Sequence, residues 1–314
     1  MKMCSEEDLI YNSHKNINST IAETIKESRR FLRSFRIKNP EIDCEILMRS
    51  MLGIDRAKLY ADLEKKLSSL ELEKYNGLVR RRSKREPLQY IVETQEFWSI
   101  DFFVNRSVLI PRPETEVLVE KVIVLANNRN INKEPLEILD IGTGSGNIAV
   151  SLARELKNAE ITATDISLDA LEIAKINSEK NDLKERIEFV HGDLFEPFYI
   201  EDTFSKAEKF TFDFIVSNPP YIPSGDIDGL LPEVSEWEPR IGLDGGADGL
   251  NFYRRIIKEA FYYLKDDGFV LLEIGEEQGE EIEKIAGLYN KYSGIKIYKD
   301  YSGKDRVVQI WTKS

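Results

Sequence analysis

Cysteine and histidine are scarce in this chain of 314 residues, which contains two of each. Cys4 and Cys44 provide neither a disulfide framework nor the paired spacing of a metal site. Because His14 and His191 are the only histidines, the sequence argues against a histidine-built metal centre. We therefore expect a protein that works without a metal ion.

Long apolar runs are also missing. No stretch approaches about 18 uninterrupted apolar residues, so no membrane span is predicted. Residues 1–8 are polar and acidic and lack the apolar core of a signal peptide. These features predict a cytoplasmic protein with no membrane partner. They leave the oligomeric state open, with a monomer favoured.

Charge is unevenly distributed along the chain. Residues 1–90 contain 19 Lys and Arg against 14 Asp and Glu, a net charge of +5, whereas residues 91–314 carry a net charge of −17. The acidic part disfavours stable nucleic-acid binding, because such binding depends on neutralising phosphates. The basic run RRRSKR at 80–85 has two interpretations. It is either a solvated helix end, where cations suit the helix dipole, or a contact with an acidic partner.

Residues 18–85 have apolar side chains at helical spacing, which predicts a small helical bundle. Ser68 or Ser69 suits the N-cap of its last helix. No catalytic cluster occurs there, so we expect the bundle to recognise the substrate, while residues 1–17 form a flexible extension. The predicted helices cover residues 20–35, 42–52, 56–63 and 69–82.

Residues 86–113 change in character and predict a β-hairpin followed by a stiff linker. Residues 90–92 and 97–104 are rich in β-branched and aromatic residues, which favour strands. Pro111 and Pro113 stiffen the segment that precedes the next helix. This segment has the composition of an ordinary linker.

Residues 114–314 alternate strands and helices, which predicts an α/β domain with a mostly parallel sheet and right-handed crossovers. The last two strands leave no room for a helix between them and should be antiparallel. Helices are expected at 168–181 and 251–264. Strands are expected at 136–141, 160–164, 187–191, 212–217, 268–274, 295–300 and 306–312.

A glycine-rich loop, GTGSG at 142–146, follows the first of these strands and precedes a helix. This arrangement brings backbone N–H groups and a helix N-terminus against a polar or anionic ligand. Asp165 ends the next strand, where it can accept hydrogen bonds from both ribose hydroxyls of a nucleoside. A dinucleotide is one candidate, because residues 144–149 satisfy a relaxed G-x-G-x-x-A fingerprint with Asp165 about 20 residues further on. S-adenosylmethionine is the other.

The tetrapeptide Asn-Pro-Pro-Tyr at 218–221 favours S-adenosylmethionine. The two prolines end the strand at 212–217 in a rigid turn, at the edge of the sheet where α/β proteins bind ligands. The Asn218 side-chain oxygen and the Pro219 carbonyl can each accept an N–H from a planar –NH₂ group, while Tyr221 offers an aromatic face. That chemistry suits the modification of an amide or amino nitrogen.

These motifs resemble the HemK/PrmC family of class I methyltransferases, and the resemblance runs from about Ser28 onwards. One departure is Glu93, which stands where the family usually has glycine. The resemblance implies a seven-stranded, Rossmann-like sheet and transfer of a methyl group to N5 of the glutamine in the Gly-Gly-Gln motif of peptide-chain release factors. The segments that carry it are LDIGTGSG at 139–146, NPPY at 218–221, REPLQYI at 85–91, FW at 97–98, IPRPETE at 110–116, EPR at 238–240, DGGADGL at 244–250 and EIG at 273–275.

The resemblance also implies a set of site residues. Residues 110–116 form the wall beside the cofactor, Asp193 and Leu194 contact the adenine, and residues 244–250 lie near the substrate pocket. The glycines of the loop let the backbone approach the methionine portion of the cofactor. The expected substrate-binding residues are Asn218, Pro219, Pro220 and Tyr221, with Asn218, Pro219 and Tyr221 catalytic. The expected cofactor-binding residues are Gly142, Thr143, Gly144, Ser145, Gly146, Asp165, Asp193, Leu194 and Asn218.

Three alternatives stay open at this point. A glutamine methyltransferase acting on a ribosomal protein would present the same tetrapeptide. A nucleic-acid amino methyltransferase would share it too, but such an enzyme needs a basic groove. The net charge of −17 in residues 91–314 argues against one. The third is a cofactor-binding interaction protein without activity.

Overall fold

The computed structural model describes residues 19–128, 135–199 and 211–312. The chain forms two compact units. Of the described residues, one unit holds those up to Glu93 together with Pro232–Trp237, and the other holds those within Thr94–Leu231 and from Glu238 onwards. The extension predicted at residues 1–17 lies outside the described residues.

The first unit is a helical bundle, as predicted. Ser68 is the N-cap of its fourth helix: its hydroxyl accepts from the Glu71 N–H and the Glu71 carboxylate accepts from the Ser68 N–H, which makes a capping box. Leu47, Met48 and Tyr75 are fully buried in the core. The helices are α1 (Ile21–Ser34), α2 (Pro40–Leu52), α3 (Arg56–Ala61), α4 (Ser69–Ser83) and α5 (Leu88–Val92).

The basic run at 80–85 is partly internal to this unit, which neither interpretation of the run anticipated. The Arg82 side chain is buried and pairs with Asp43 at 2.6 Å and with Glu233 at 3.0 Å. Arg85 pairs with the same Glu233 at 2.6 Å. Glu233 belongs to the one-turn helix Pro232–Ser235, so these ion pairs hold that segment within the bundle.

The strand predicted at residues 90–92 is wrong, because these residues form the end of α5. Leu88, Ile91 and Val92 all pack into the bundle core, and their i, i+3, i+4 spacing is that of a helix face. A run of three apolar residues cannot distinguish helix from strand by itself. Glu93, at the position of the family's usual glycine, ends α5 in the left-handed region with φ +57°.

A hairpin forms just beyond this point, but Phe97 ends its first strand instead of beginning the second strand predicted at 97–104. Strands β1 (Thr94–Phe97) and β2 (Ile100–Phe103) are antiparallel and are joined by Trp98 and Ser99. Both turn residues have positive φ, 52° and 55°, as a two-residue turn of type I′ requires.

The seven-stranded sheet of the second unit confirms the predicted α/β fold. Its order is β5-β4-β3-β6-β7-β9-β8, and only β9 runs antiparallel to its two neighbours. Three strands have the predicted bounds, and β7 begins earlier than predicted because Leu264 already pairs with Phe212. The strands are β3 (Leu136–Ile141), β4 (Ala159–Asp165), β5 (Ile187–His191), β6 (Phe212–Ser217), β7 (Leu264–Glu273), β8 (Tyr292–Lys299) and β9 (Asp305–Thr312).

Helices cover this sheet and connect its strands. The helix predicted at 251–264 ends at Ala260, ahead of the early start of β7. The chain order reverses between β3 and β6, which makes their carboxyl ends the switch point where α/β sheets bind ligands. The helices are α6 (Glu116–Asn128), α7 (Asn147–Glu155), α8 (Leu168–Lys180), α9 (Asn251–Ala260) and α10 (Gly279–Gly287).

Candidate active site

A cavity of about 240 Å³ lies at this switch point in the second unit. Most of the predicted site residues line it, whereas Gly146 and Tyr221 do not. The predicted residues in its wall are Gly142, Thr143, Gly144, Ser145, Asp165, Asp193, Leu194, Asn218, Pro219 and Pro220.

The glycine loop uses much of its own hydrogen-bonding capacity internally. The N–H groups of Gly142 and Thr143 donate to the Thr164 carbonyl, and that of Gly146 donates to the Thr143 carbonyl. Gly142 has φ +71°, where a side chain would be strained, although a Cβ would meet no other atom. Gly146 is required for a different reason than predicted, because its Cβ would lie 3.1 Å from Ala174 on α8. It serves helix packing behind the wall.

Asp165 has a larger role than the sequence predicted. Its Oδ2 accepts from the Gly144 N–H at 2.8 Å, and its Oδ1 accepts from the Ser167 N–H at 2.9 Å. It therefore joins the glycine loop to the N-cap of α8. Burial raises the pKa of this carboxyl, although the backbone N–H bonds oppose that effect. Each oxygen keeps a lone pair for a hydroxyl ligand in the cavity.

Asp193 and Leu194 follow β5 and line the cavity, as expected. The Arg255 guanidinium on α9 donates to Asp193 Oδ2 at 2.6 Å, which leaves Oδ1 for a ligand amine. Leu194, Ile166 and Phe252 add apolar surface suited to a planar base. No sequence motif pointed to Arg255, because its partner lies 62 positions away in the chain.

Asn218 is held by a residue that the sequence analysis did not connect with it. Its Nδ2 donates to the hydroxyl of Thr115 at 3.2 Å, and Thr115 is 1% exposed. The side-chain oxygen of Asn218 is therefore left as an acceptor. Just before it, the Ser217 hydroxyl donates to the Ile141 carbonyl at 2.6 Å, which ties the end of β6 to β3.

The segment at 110–116 forms part of the cavity wall, as the family resemblance implied. Pro111 and Arg112 line the cavity. The Arg112 guanidinium donates to Glu238, which is 6% exposed and also accepts from the Ile110 N–H. Burial raises the pKa of the Glu238 carboxyl, while the charge of Arg112 lowers it.

Tyr221 is fixed behind the wall by the segment 244–250. A Cβ on Gly245 would lie 2.8 Å from the Tyr221 Cα, so the two backbones meet without room for a side chain. Gln278 Nε2 donates to the Tyr221 carbonyl at 3.0 Å. Burial raises the pKa of the Tyr221 hydroxyl to about 12, and the nearby Glu273 carboxylate adds to this effect.

Within residues 19–128, 135–199 and 211–312, no group of three or more His, Cys, Asp or Glu side chains could hold a metal ion. Over the same part of the chain, no helix has the length and apolar character needed to cross a membrane.

Comparison with known proteins agrees with this geometry. The sequence model described as the PrmC N-terminal domain matches residues 23–92, and that of the methyltransferase small domain matches residues 115–230. The release factor glutamine methyltransferase of Geobacter sulfurreducens is 41% identical over 291 residues, which cover 92% of this chain and 95% of that protein. The bifunctional methyltransferase of Rickettsia bellii is 36% identical over 313 residues, which cover 93% of this chain and only 54% of that longer protein.

Among solved structures, the hMettl16 catalytic domain in complex with the MAT2A 3'UTR hairpin 6 has a TM-score of 0.53. It is 16% identical and covers 76% of this chain and 82% of that one, a likeness that shows the fold alone. Fold, cavity and matched domain together define an S-adenosylmethionine-dependent methyltransferase. Within that class, the chain belongs to the release factor glutamine methyltransferase family.

Proposed function

We propose that this chain transfers a methyl group from S-adenosylmethionine to N5 of the glutamine in the Gly-Gly-Gln motif of peptide-chain release factors. The observation that carries the proposal is the hydrogen bond from Asn218 Nδ2 to Thr115, which leaves the Asn218 oxygen as an acceptor in the cavity. An acceptor at this point suits a substrate that offers an –NH₂ group. The family supplies the identity of that substrate.

The residues around the cavity fit S-adenosylmethionine. Asp165 has free lone pairs on both carboxylate oxygens for the two ribose hydroxyls, and Asp193 has one for the adenine amine. Leu194 supplies apolar surface for the ring. When bound, S-adenosylmethionine supplies an activated methyl group on a sulfonium.

The same residues fit a dinucleotide poorly. Binding of a pyrophosphate at a glycine loop needs free backbone N–H groups. Here the N–H groups of residues 142, 143, 144 and 146 all donate within the protein. This observation favours the sulfonium cofactor over the dinucleotide that the fingerprint at 144–149 left open.

The chain's own residues contribute position and electrostatic stabilisation. A glutamine amide nitrogen is a poor nucleophile because its lone pair is delocalised into the carbonyl. Asn218 Oδ1 and the Pro219 carbonyl would each accept one N–H and hold the nitrogen in place. The same bonds stabilise positive charge that develops on that nitrogen, so they favour the transition state over the ground state. Positioning alone supplies on the order of 7 kcal/mol in well-oriented systems.

The remaining residues shape the site. Pro219 is buried and Pro220 is half-buried beside it, and both present apolar surface that excludes water. Tyr221 does not line the cavity; anchored by its carbonyl, it would hold the turn that carries Asn218 and Pro219 in place from behind. We further propose that the helical bundle recognises the release factor in the cytoplasm, and that the acidic second unit makes no lasting contact with nucleic acid.

Mass spectrometry of a purified release factor tests this proposal. The factor is incubated with the chain and S-adenosylmethionine, and a second sample receives the Asn218→Ala variant. One added methyl group on the Gly-Gly-Gln glutamine, absent from the second sample, is the expected result. An unmodified release factor, with methyl groups instead on a ribosomal protein, DNA or rRNA in parallel incubations, would refute it.

A further inference from the structure

Asn177 is a fully buried amide on α8 that joins two parts of the second unit. Its side chain is 0% exposed. Its Oδ1 accepts from the Phe103 N–H at 2.7 Å, and its Nδ2 donates to the Phe103 carbonyl at 3.0 Å. The same Nδ2 donates to the carbonyl of Ser145 in the glycine loop at 2.8 Å. One side chain therefore ties the end of β2 to the loop that lines the cavity.

The orientation of this amide follows from its partners. A backbone N–H can only donate, and a backbone carbonyl can only accept. The Phe103 N–H therefore requires the oxygen of Asn177, and the two carbonyls require its –NH₂ group. A reversed amide would lose all three hydrogen bonds, so the side chain has a single orientation that satisfies its surroundings.

The bond to Ser145 fixes one peptide group of the glycine loop. Asn177 holds the carbonyl of this group, and its N–H, that of Gly146, donates to the Thr143 carbonyl at 2.8 Å. The helix α8 meets the same peptide group at a second point, because a Cβ on Gly146 would lie 3.1 Å from the Ala174 side chain. Ala174 and Asn177 are three positions apart and lie on one face of α8. The peptide group is therefore held on both sides.

The hairpin is anchored at both of its ends. At the turn, the Trp98 N–H donates to Glu116 on α6 at 2.8 Å, and the Trp98 indole N–H donates to Glu155 on α7 at 3.1 Å. At the other end, Asn177 holds Phe103. The strand β2 thus ends on the side chain that also holds the glycine loop, so a displacement of one changes the hydrogen bonds of the other.

We propose that Asn177 is a positioning residue of the cofactor site, which couples the hairpin to the glycine loop. When a bound cofactor orders the loop, the Ser145 carbonyl is held in place, and the Asn177 amide then holds Phe103 more firmly. The coupling is reciprocal, because loosening the Phe103 contact must weaken cofactor binding as much as cofactor binding strengthens that contact. This inference rests on the proposed placement of S-adenosylmethionine beside the glycine loop.

Asn177→Asp separates the two contacts. A carboxylate keeps the size of the side chain and can still accept from the Phe103 N–H, but it cannot donate to the Ser145 carbonyl. We expect the affinity for S-adenosylmethionine, measured by calorimetry, to fall by about 10-fold or more. KM for the cofactor should rise with it, while kcat at saturating cofactor should change little.

Asn181→Asp is the matched control on the same helix. Its Nδ2 also donates to a carbonyl, that of Asn177, at 2.8 Å, but Asn181 does not line the cavity. This variant should keep the wild-type affinity for the cofactor even if it unfolds at a lower temperature. Asn177→Leu removes all three hydrogen bonds without adding a buried charge, and its affinity should fall at least as far as that of Asn177→Asp. Thermal unfolding verifies that each variant is folded.

Amide hydrogen exchange tests the coupling without catalysis. In wild type, S-adenosylmethionine should slow the exchange of the Phe103 N–H several-fold more than that of the Ile100 N–H at the other end of β2, which serves as the internal reference. In Asn177→Asp the Phe103 N–H keeps its acceptor, but the additional slowing should disappear. Asn181→Asp should behave like wild type.

The possible results separate this inference from the proposed function. Wild-type affinity in a folded Asn177→Asp or Asn177→Leu variant would overturn the role of Asn177, as would a wild-type Phe103 N–H that exchanges equally fast with and without cofactor. A wild type that does not bind S-adenosylmethionine would refute the cofactor site and this inference with it. A wild type that binds and shows the slowed exchange, but leaves the release factor unmethylated, would refute the proposed transfer alone.

Discussion

Gln278 Nε2 donates to the carbonyl of Tyr221 at 3.0 Å, across 57 positions of sequence. The same amide donates to the Gly249 carbonyl at 3.3 Å, and its oxygen accepts from the Gly275 N–H at 2.9 Å. One side chain therefore joins the turn after Asn-Pro-Pro-Tyr, the segment 244–250 and the turn after β7. The position of Tyr221 depends on this amide having a donor end and an acceptor end.

Gln278→Glu should destabilise the protein by about 1–3 kcal/mol, because a carboxylate would face two carbonyl oxygens and leave them unpaired. Turnover should fall with it, since Tyr221 loses its anchor. Urea unfolding and steady-state rates measure both effects. Gln95→Glu is the matched control, because its Nε2 also donates to a carbonyl, that of Glu96, but at an exposed position. Equal stability of the two variants would show that Gln278 is not an anchor.

Gly249→Ala should lower the free energy of unfolding by more than the backbone strain at its φ of +74° would explain. The added Cβ would overlap the Tyr221 carbonyl oxygen and crowd Gln278. Gly303→Ala is the control, because Gly303 has φ +81° and its Cβ would meet no other atom within 4 Å. We expect a loss of about 1–2 kcal/mol for Gly303→Ala from strain alone and a clearly larger loss for Gly249→Ala. The free energies of unfolding of the two variants test this prediction. Equal losses would contradict the close packing of Gly249 against Tyr221 and Gln278.

Sequence reasoning predicted the features that local chemistry defines. A strand followed by glycines, or by two prolines, has few possible structures, so the loop at 142–146 and the turn at 218–221 were found with their strands. The sequence did not connect Thr115 with Asn218 or Gln278 with Tyr221, because these partners lie 103 and 57 positions apart and are brought close only by the sheet. The error at residues 90–92 has another cause, since a short apolar run takes its conformation from the core on which it packs.

Asp165→Ala should weaken S-adenosylmethionine binding by about 1.5–3 kcal/mol, the range for hydrogen bonds to a charged group. The structure adds a second effect, because the Gly144 N–H loses its partner and the glycine loop loses its tie to α8. Calorimetric titration measures the first effect, and thermal unfolding without ligand measures the second. Asp169→Ala, an exposed change four residues away in the first turn of α8, should leave cofactor binding unchanged. Unchanged binding in Asp165→Ala would remove Asp165 from the cofactor site.

Asp140 should make the stability depend on pH. Burial raises the pKa of this carboxyl to about 7, although the Thr143 hydroxyl lowers it, so the folded state holds the proton more tightly than the unfolded state does. The contribution of Asp140 is therefore present at low pH and is lost as the pH rises through about 7. Asp140→Asn removes this dependence. The free energy of unfolding of this variant should therefore rise relative to that of wild type as the pH increases from about 4 to about 7. Denaturant unfolding across that range tests it, and a constant difference would contradict the raised pKa.

In the proposed mechanism, the Asn218 oxygen accepts an N–H from the substrate amide. Asn218→Ala removes this acceptor and keeps both prolines. Asn181→Ala serves as the control, because Asn181 is the C-cap of α8 and does not line the cavity. Asn218→Asp keeps an acceptor oxygen and should retain more activity than Asn218→Ala, although desolvation of the carboxylate offsets part of the gain.

The most direct test combines steady-state methylation of a release factor with S-adenosylmethionine titration of Asn218→Ala. We expect a fall in kcat of about 100-fold or more, as for the loss of one preorganised hydrogen-bond partner at a reacting centre, with nearly unchanged cofactor affinity. Wild-type turnover in this variant would contradict the role of Asn218 as an acceptor and leave it as a residue that only shapes the turn.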